Sequence, residues 1–144
     1  MLGRMEDTAE GKSHIFPVQV YWEDTDAGGI VYYANYLKFT ERARTDMLRG
    51  LGINQQAMME DGANFVVRAC KIEYLIPAKM EDQLTVVTRL TDLRGASMRM
   101  KQDIYRDRDK LVTTEVRVAC LGAEGRPQRL SSAINDKFNA ILGV

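Results

Sequence analysis

Glu23-Asp24-Thr25-Asp26-Ala27-Gly28-Gly29-Ile30-Val31-Tyr32-Tyr33-Ala34-Asn35-Tyr36 is the stretch across which the apolar period of this chain changes. Upstream, Phe16, Val18, Val20 and Trp22 alternate with Pro17, Gln19, Tyr21 and Glu23, the two-residue period of a half-buried strand. Downstream, from about Ala34, Tyr36, Phe39 or Thr40, Ala43, Met47 and Leu51 recur at steps of three and four. Lys38, Glu41, Arg42, Arg44, Asp46 and Arg49 fall largely elsewhere, so this is an amphipathic helix, ended by Gly50 and Gly52. The stretch between thus sets two carboxylates at the end of a strand, then a glycine pair, then a helix start. A helix start offers free N–H groups and the positive end of the helix dipole, which hold a developing negative charge. A carboxylate facing it can supply or activate a nucleophile, so the arrangement suits chemistry on a carbonyl.

Working outward, Asn54 caps a short helix to about Glu60, and Asp61-Gly62 turns the chain. Strands follow. Cys70, Ile72, Tyr74 and Ile76 alternate with Lys71 and Glu73, and Pro77 closes the run. Leu84, Val86 and Leu90 share a phase; Met98, Met100 and Ile104 alternate with Arg99, Lys101 and Asp103. Val112, Val116, Val118 and Cys120 alternate with Glu115 and Arg117. Arg106 to Lys110 is a polar connector short enough for a hairpin, and Ser131 caps a helix from about Ser132 to Leu142. Met1 to Ser13 is polar and reads as a disordered lead-in, so the expected domain is 14–144. The fold class is α+β: one strand, a long helix, then strands joined by short links, hence a mostly antiparallel sheet curved around the helix.

The 144 residues suit one domain, and 45% apolar content is enough for a core. Twenty basic and twenty acidic residues cancel, which argues against broad nucleic-acid binding. There is no apolar run of membrane-spanning length and no apolar leader before Ile15. Cys70 and Cys120 read as reduced, buried thiols, and the cytoplasm is the expected location.

The motif Asp24-Thr25-Asp26-Ala27-Gly28-Gly29-Ile30-Val31-Tyr32, followed by Asn35-Tyr36 and Glu41-Arg42-Ala43-Arg44, resembles the hotdog-fold acyl-CoA thioesterases. The nearest group is the YbgC type associated with the Tol–Pal envelope system. The resemblance covers about Phe16 to Leu130, including Arg68, Glu73-Tyr74, Pro77-Ala78 and Leu93 to Ser97. It implies a long helix wrapped by a curved sheet, and a homo-oligomer, dimer or tetramer, with sites at subunit interfaces. It also implies hydrolysis of acyl-CoA thioesters to free acid and coenzyme A, with an acyl carrier protein as a possible alternative carrier, and with no cofactor.

The resemblance makes Asp26 the catalytic carboxylate, as a general base on water or as the nucleophile. A thiolate leaves readily, so one carboxylate suffices. The alternative is a loop aspartate bonding its own backbone in a turn. Asp24 reads as loop support. Gly28 and Gly29 permit positive φ and close approach of substrate, or simply a turn. The backbone N–H of Tyr33 is the implied oxyanion donor, while its ring reads equally as a core aromatic. Many YbgC-type proteins carry histidine there, whereas the related hydroxybenzoyl-CoA thioesterases carry tyrosine. Glu41 reads as an ion-pair partner of Arg44, Arg42 or a strand residue. Arg94 and Ser97 match positions that contact the coenzyme A phosphates in some relatives, and Arg99 and Lys101 extend the patch or form a solvated strand face.

Other readings fail on residue type. A calcium loop would have Gly28 and Asn35 where ligands are needed. Metal-dependent phosphoryl transfer finds no second motif. The one histidine, His14, precedes the first expected strand, which leaves a metal site, a Ser-His-Asp triad or a hotdog dehydratase without its imidazole. The rival from another class is a non-catalytic acyl-binding or scaffold protein of the same fold.

Overall fold

The helix expected behind the glycine pair is α1, Asn35–Gly50, in the computed structural model, which describes residues 2–142. The first residue of the expected lead-in and the last two of the expected domain lie outside these. Tyr36, Phe39, Thr40, Ala43 and Met47 are buried, as the spacing requires. The helix stops where Gly52 takes φ +78°. The Gly52 N–H then donates to the Arg49 carbonyl (3.0 Å) and the Ile53 N–H to the Leu48 carbonyl (2.9 Å). This paired closure, with Leu48 and Ile53 buried in one cluster, satisfies carbonyls a helix end otherwise leaves open.

Among the described residues six strands form one sheet: β1 (Arg4–Thr8), β2 (Gly11–Gln19), β3 (Asn64–Tyr74), β4 (Gln83–Leu93), β5 (Ser97–Arg106) and β6 (Asp109–Leu121). Their order is β1-β2-β4-β5-β6-β3, with every pairing antiparallel. Two further α-helices lie among the described residues. The first is α2 (Gln55–Glu60), whose Asn54 cap accepts the Ala57 N–H. The second is α3 (Ser132–Ile141), whose Ser131 cap accepts the Ile134 N–H. The sheet buries one face against α1 and α3. Each large apolar side chain so buried, such as Phe39, Leu84, Leu90 or Phe138, contributes roughly 1.5–3 kcal/mol.

The core has two apolar clusters. One, around Phe16, Tyr36, Phe39 and Val86, lies under the first half of α1; the other, around Met47, Leu90, Met100 and Phe138, lies under the second. The Gln102 side chain, fully buried, donates to the Thr40 carbonyl (3.0 Å) and the Thr88 hydroxyl (2.9 Å) and accepts from Arg44 (2.9 Å). Every polar atom of the amide is engaged, so its burial adds a fixed register between α1 and the sheet without an orphaned donor.

Four expectations are corrected. Residues 4–13 are not a disordered lead-in; they belong to the β1–β2 hairpin. Every β1 residue is exposed, so no apolar period marks the strand. It forms on the edge of β2, aided by Gly11 at φ +114° and by the Thr8 hydroxyl on the Gly11 carbonyl (2.8 Å). Trp22 does not continue the first strand: β2 ends at Gln19, and Trp22, 80% exposed, lies in a 3₁₀ turn (Trp22–Asp24). The β3 side chains Cys70 and Tyr74 are exposed, because β3 is an edge strand of the sheet. His14 does not precede the first strand; it is buried within β2.

His14 Nε2 lies 2.9 Å from Asp46 Oδ2 on α1, and the Gly3 N–H donates to the same oxygen (3.0 Å). His14 Nδ1 is buried without a partner. A proton there would be an orphaned donor, so the neutral ring donating from Nε2 to Asp46 is the favoured form. Burial accordingly holds the imidazole below the ordinary value of 6.5, outweighing the opposite pull of Asp46. The folded chain binds this proton less readily than the unfolded chain. The associated stability is complete above about pH 6.5 and is lost as the pH falls below it. Thermal melts should show the melting temperature dropping from about pH 7.5 to about pH 5.5, with a shallower slope in His14→Gln. Equal slopes for the two proteins would refute this assignment.

Candidate active site

The Asp/Gly segment is a tight hairpin. The Asp26 N–H donates to the Ile30 carbonyl (2.9 Å), the Gly29 N–H donates to the Asp26 carbonyl (3.1 Å), and Thr25 bridges to Val31. Gly29 sits at φ +79°, the left-handed position that closes a three-residue loop. The Asp26 side chain is exposed, and its Oδ1 accepts the Gly28 N–H (2.8 Å). The turn role that the spacing allowed is therefore realised. It engages one carboxylate oxygen; among the described residues Oδ2 takes part in no hydrogen bond.

Asp24 faces the other way. It is buried, and its Oδ2 accepts the Tyr21 N–H (2.9 Å). Its carbonyl accepts the Tyr32 N–H (3.0 Å) and the Asn35 side-chain amide (2.8 Å). Asp24 thus ties Tyr21, just beyond the end of β2, to the first residue of α1, which holds the loop against the helix start.

Ala34, the residue that caps α1, offers no side-chain bond to the open N–H groups. Tyr33, one residue earlier, is 61% exposed, so its ring is no core aromatic. The ring packs against Tyr32 (centroids 4.9 Å apart) and edge-on to Tyr74 (6.0 Å). Among the described residues the Tyr33 N–H donates to no protein acceptor, while the Tyr33 carbonyl accepts the Tyr74 hydroxyl (3.0 Å). Asp26, Gly28, Gly29 and Tyr33 are thereby gathered around one loop and one uncapped helix start.

Glu41 is exposed, and among the described residues it makes no ion pair within 4.0 Å, contrary to expectation. Arg44 turns inward to Gln102 instead. Both line a cavity of about 320 Å³ with Leu48, Phe65, Val67 and Met100.

Arg94 and Ser97 meet at the β4–β5 connector, where the Arg94 N–H donates to the Ser97 carbonyl (2.8 Å). The Arg94 guanidinium is exposed and paired with Asp92 (2.9 Å). Arg99 stands directly opposite Arg117 on β6, so two cations share one face of the sheet. Arg117 was not singled out in the sequence, because the like-charged pair exists only once the β5–β6 register is known. The connector is distant from Asp26 within one chain. Asp82, just before β4, accepts the Val20 N–H beside the site loop, whereas Arg94 follows the far end of this 11-residue strand, roughly 30 Å away.

Residues 20–141 match the thioesterase-like superfamily. The chain belongs to that family. An acyl-CoA thioester hydrolase, YbgC, of Escherichia coli O6:H1 is 43% identical over 125 residues, covering 85% of this chain and 93% of that one. An acyl-CoA thioesterase YbgC of Haemophilus influenzae is 46% identical over 107 residues, 74% of this chain and 79% of that one. Among solved structures, a probable thioesterase from Bartonella henselae is 40% identical, with a TM-score of 0.78 over 83% of this chain and 99% of that one. The 1,4-dihydroxy-2-naphthoyl-CoA thioesterase of Synechocystis, at 19% identity, shares the fold (TM-score 0.83, over 88% of this chain and 96% of that one).

For a thioesterase-family member, the layout leaves an exposed carboxylate on the loop and an unpaired Tyr33 N–H, among the described residues, in the turn that leads into α1. Among the described residues no three His, Cys, Asp or Glu side chains are grouped to hold a metal ion, and no helix is long and apolar enough to cross a membrane. The anchoring of the loop is directly testable. Asp24→Ala leaves the Tyr21 N–H without its acceptor and should cost about 1–3 kcal/mol in chemical denaturation. Asp24→Asn, which keeps an oxygen there, should cost less; equal stability of all three proteins would contradict the anchoring role.

Proposed function

We propose that this chain hydrolyses acyl-CoA thioesters to the free acid and coenzyme A, with Asp26 as the catalytic carboxylate and the Tyr33 N–H as the oxyanion donor. The observation that carries the reading is the exposed Asp26 carboxylate, one oxygen uncommitted, on a loop tied to a helix start whose Tyr33 N–H has no protein acceptor. Family membership and the YbgC relatives support the substrate class.

In the general-base route Asp26 takes a proton from water as the water oxygen adds to the thioester carbonyl carbon. In the nucleophilic route the carboxylate adds itself and water then opens the resulting anhydride. In both, charge gathers on the carbonyl oxygen, where the Tyr33 N–H and the dipole of α1 oppose it. Collapse breaks the C–S bond, the thiolate leaves, and it ends protonated as free coenzyme A. Gly28 and Gly29, lacking side chains, let the thioester lie against the loop. The hydroxyl of Ser97 and the cations of Arg94, Arg99 and Lys101 receive the nucleotide phosphates. The opposed Arg99 and Arg117 support this, since a bound anion relieves their repulsion.

The reading requires a homo-oligomer, a dimer or tetramer. Asp26 lies beside one end of β4 and Arg94 follows the other, so the nucleotide site serving each Asp26 is assigned to another copy. The exposed apolar groups along and after β3 (Val66, Val67, Tyr74, Leu75 and Ile76) supply an edge for that association and a wall for the acyl group. Coenzyme A is the proposed carrier, and an acyl carrier protein the alternative to test beside it. The proposed compartment is the cytoplasm, in keeping with two free thiols, Cys70 and Cys120.

Asp26→Asn decides the chemistry cleanly, because the amide oxygen can still accept the Gly28 N–H and hold the turn. Across a panel of acyl-CoA and acyl-carrier-protein thioesters, kcat should fall about 10²- to 10⁴-fold at an unchanged melting temperature. An undiminished rate would remove Asp26 from the mechanism, and a wild type inactive on every thioester would point to a binding protein. Sedimentation velocity should return a dimer or tetramer; a monomer would sink the shared-site arrangement.

A further inference from the structure

Tyr74 takes no part in the chemistry above, yet it makes the contact that joins the sheet edge to the start of α1. It is the last residue of β3, paired with Val112, and the Leu75 and Ile76 N–H groups that follow both donate to the Leu111 carbonyl (2.8 and 3.1 Å). Its position is therefore set by the sheet. From there its hydroxyl donates to the Tyr33 carbonyl (3.0 Å), and its ring packs on Tyr33 (6.0 Å) and Tyr36 (5.7 Å). Tyr36 is itself fixed, since its hydroxyl accepts the Ala78 N–H (3.0 Å).

The carbonyl of Tyr33 shares a peptide plane with the N–H of Ala34, and its orientation follows the Tyr33 backbone. The Asn35 N–H already holds the Tyr32 carbonyl (2.8 Å), and with it the plane that carries the Tyr33 N–H. Ala34 supplies no side-chain cap, so the plane of the Tyr33 carbonyl and the Ala34 N–H is left for Tyr74 to hold. A donor on the carbonyl holds the plane and polarises it, which makes the N–H on its other side a better donor.

We propose that Tyr74 is a positioning residue: its phenol fixes the Tyr33 carbonyl so that the Ala34 N–H on the same plane faces the thioester oxygen beside the Tyr33 N–H, which couples the β3 edge to the oxyanion site. This rests on the thioesterase reading of Asp26 and Tyr33 given above. Because Tyr74 closes an edge strand, a second copy pairing on that edge also settles the geometry of the site.

Tyr74→Phe removes the hydroxyl and keeps the ring contacts. Steady-state kinetics on an acyl-CoA that the wild type hydrolyses should show kcat reduced about tenfold and KM within about twofold. The melting temperature, sedimentation coefficient and affinity for a non-hydrolysable thioether analogue of that substrate should be unchanged. Tyr74→Leu, which also lacks the hydroxyl, should lose at least as much kcat. Wild-type kcat in Tyr74→Phe beside an inactive Asp26→Asn would overturn this proposal alone, whereas activity in Asp26→Asn would overturn the reading beneath it. A rate loss accompanied by an equal rise in KM, or by dissociation of the oligomer, would also overturn it.

Discussion

One face of α1 must be hidden from water, and a single antiparallel sheet is what the chain has to hide it with. A flat sheet touches a helix along one line; a coiled one covers more of its circumference. That demand explains why β2 and β4 pass under the helix while β3 is carried to the far edge beside β6. It also explains the polar seam through the core. Two apolar clusters alone would let α1 slide or rotate over the sheet, because apolar contact is non-directional. Gln102, bonded at once to Thr40, Thr88 and Arg44, makes one register of helix on sheet different from all others.

That register fixes where α1 begins, and the site depends on where α1 begins. The first residues of the helix are left without a side-chain cap, while the loop before them is bonded heavily through Asp24. Donors at a helix start are normally occupied by a neighbouring oxygen, which stabilises the fold. Here Asn35 and Leu37 donate to the Tyr32 and Ala34 carbonyls, the Tyr33 N–H finds no protein acceptor among the described residues, and rigidity comes from the loop, an arrangement suited to a group that must meet a transient oxygen.

What the sequence discloses follows from which forces are local. Tyr36, Phe39, Ala43 and Met47 declare their helix because the 3.6-residue period is written in the residues themselves. The Asn54 and Ser131 caps are also short-range and form where read, and the hairpin expected within Arg106 to Lys110 forms with a tighter turn, since Asp109 and Lys110 already belong to β6. The Asp/Gly motif reveals its loop for the same reason. β1 escapes notice because its order comes from the edge of β2 and not from its own side chains. The exposure of Cys70 and Tyr74 escapes because an edge strand and a central strand can share one alternation. Arg117 and Tyr74 gain their meaning from partners far along the chain, Arg99 and Tyr33, which no spacing rule brings together.

The two edges of the sheet are chemically unlike. At one end, β1 presents Arg4, Glu6 and Asp7 to solvent; at the other, β3 presents Val66 and Val67. Charged edges resist strand addition and apolar ones invite it. In the oligomer proposed above, a sheet with one receptive side would recruit a single neighbour, edge to edge about a two-fold axis, and each would then block the other's open side. The charged β1–β2 hairpin would keep such strand addition from running on into a fibre.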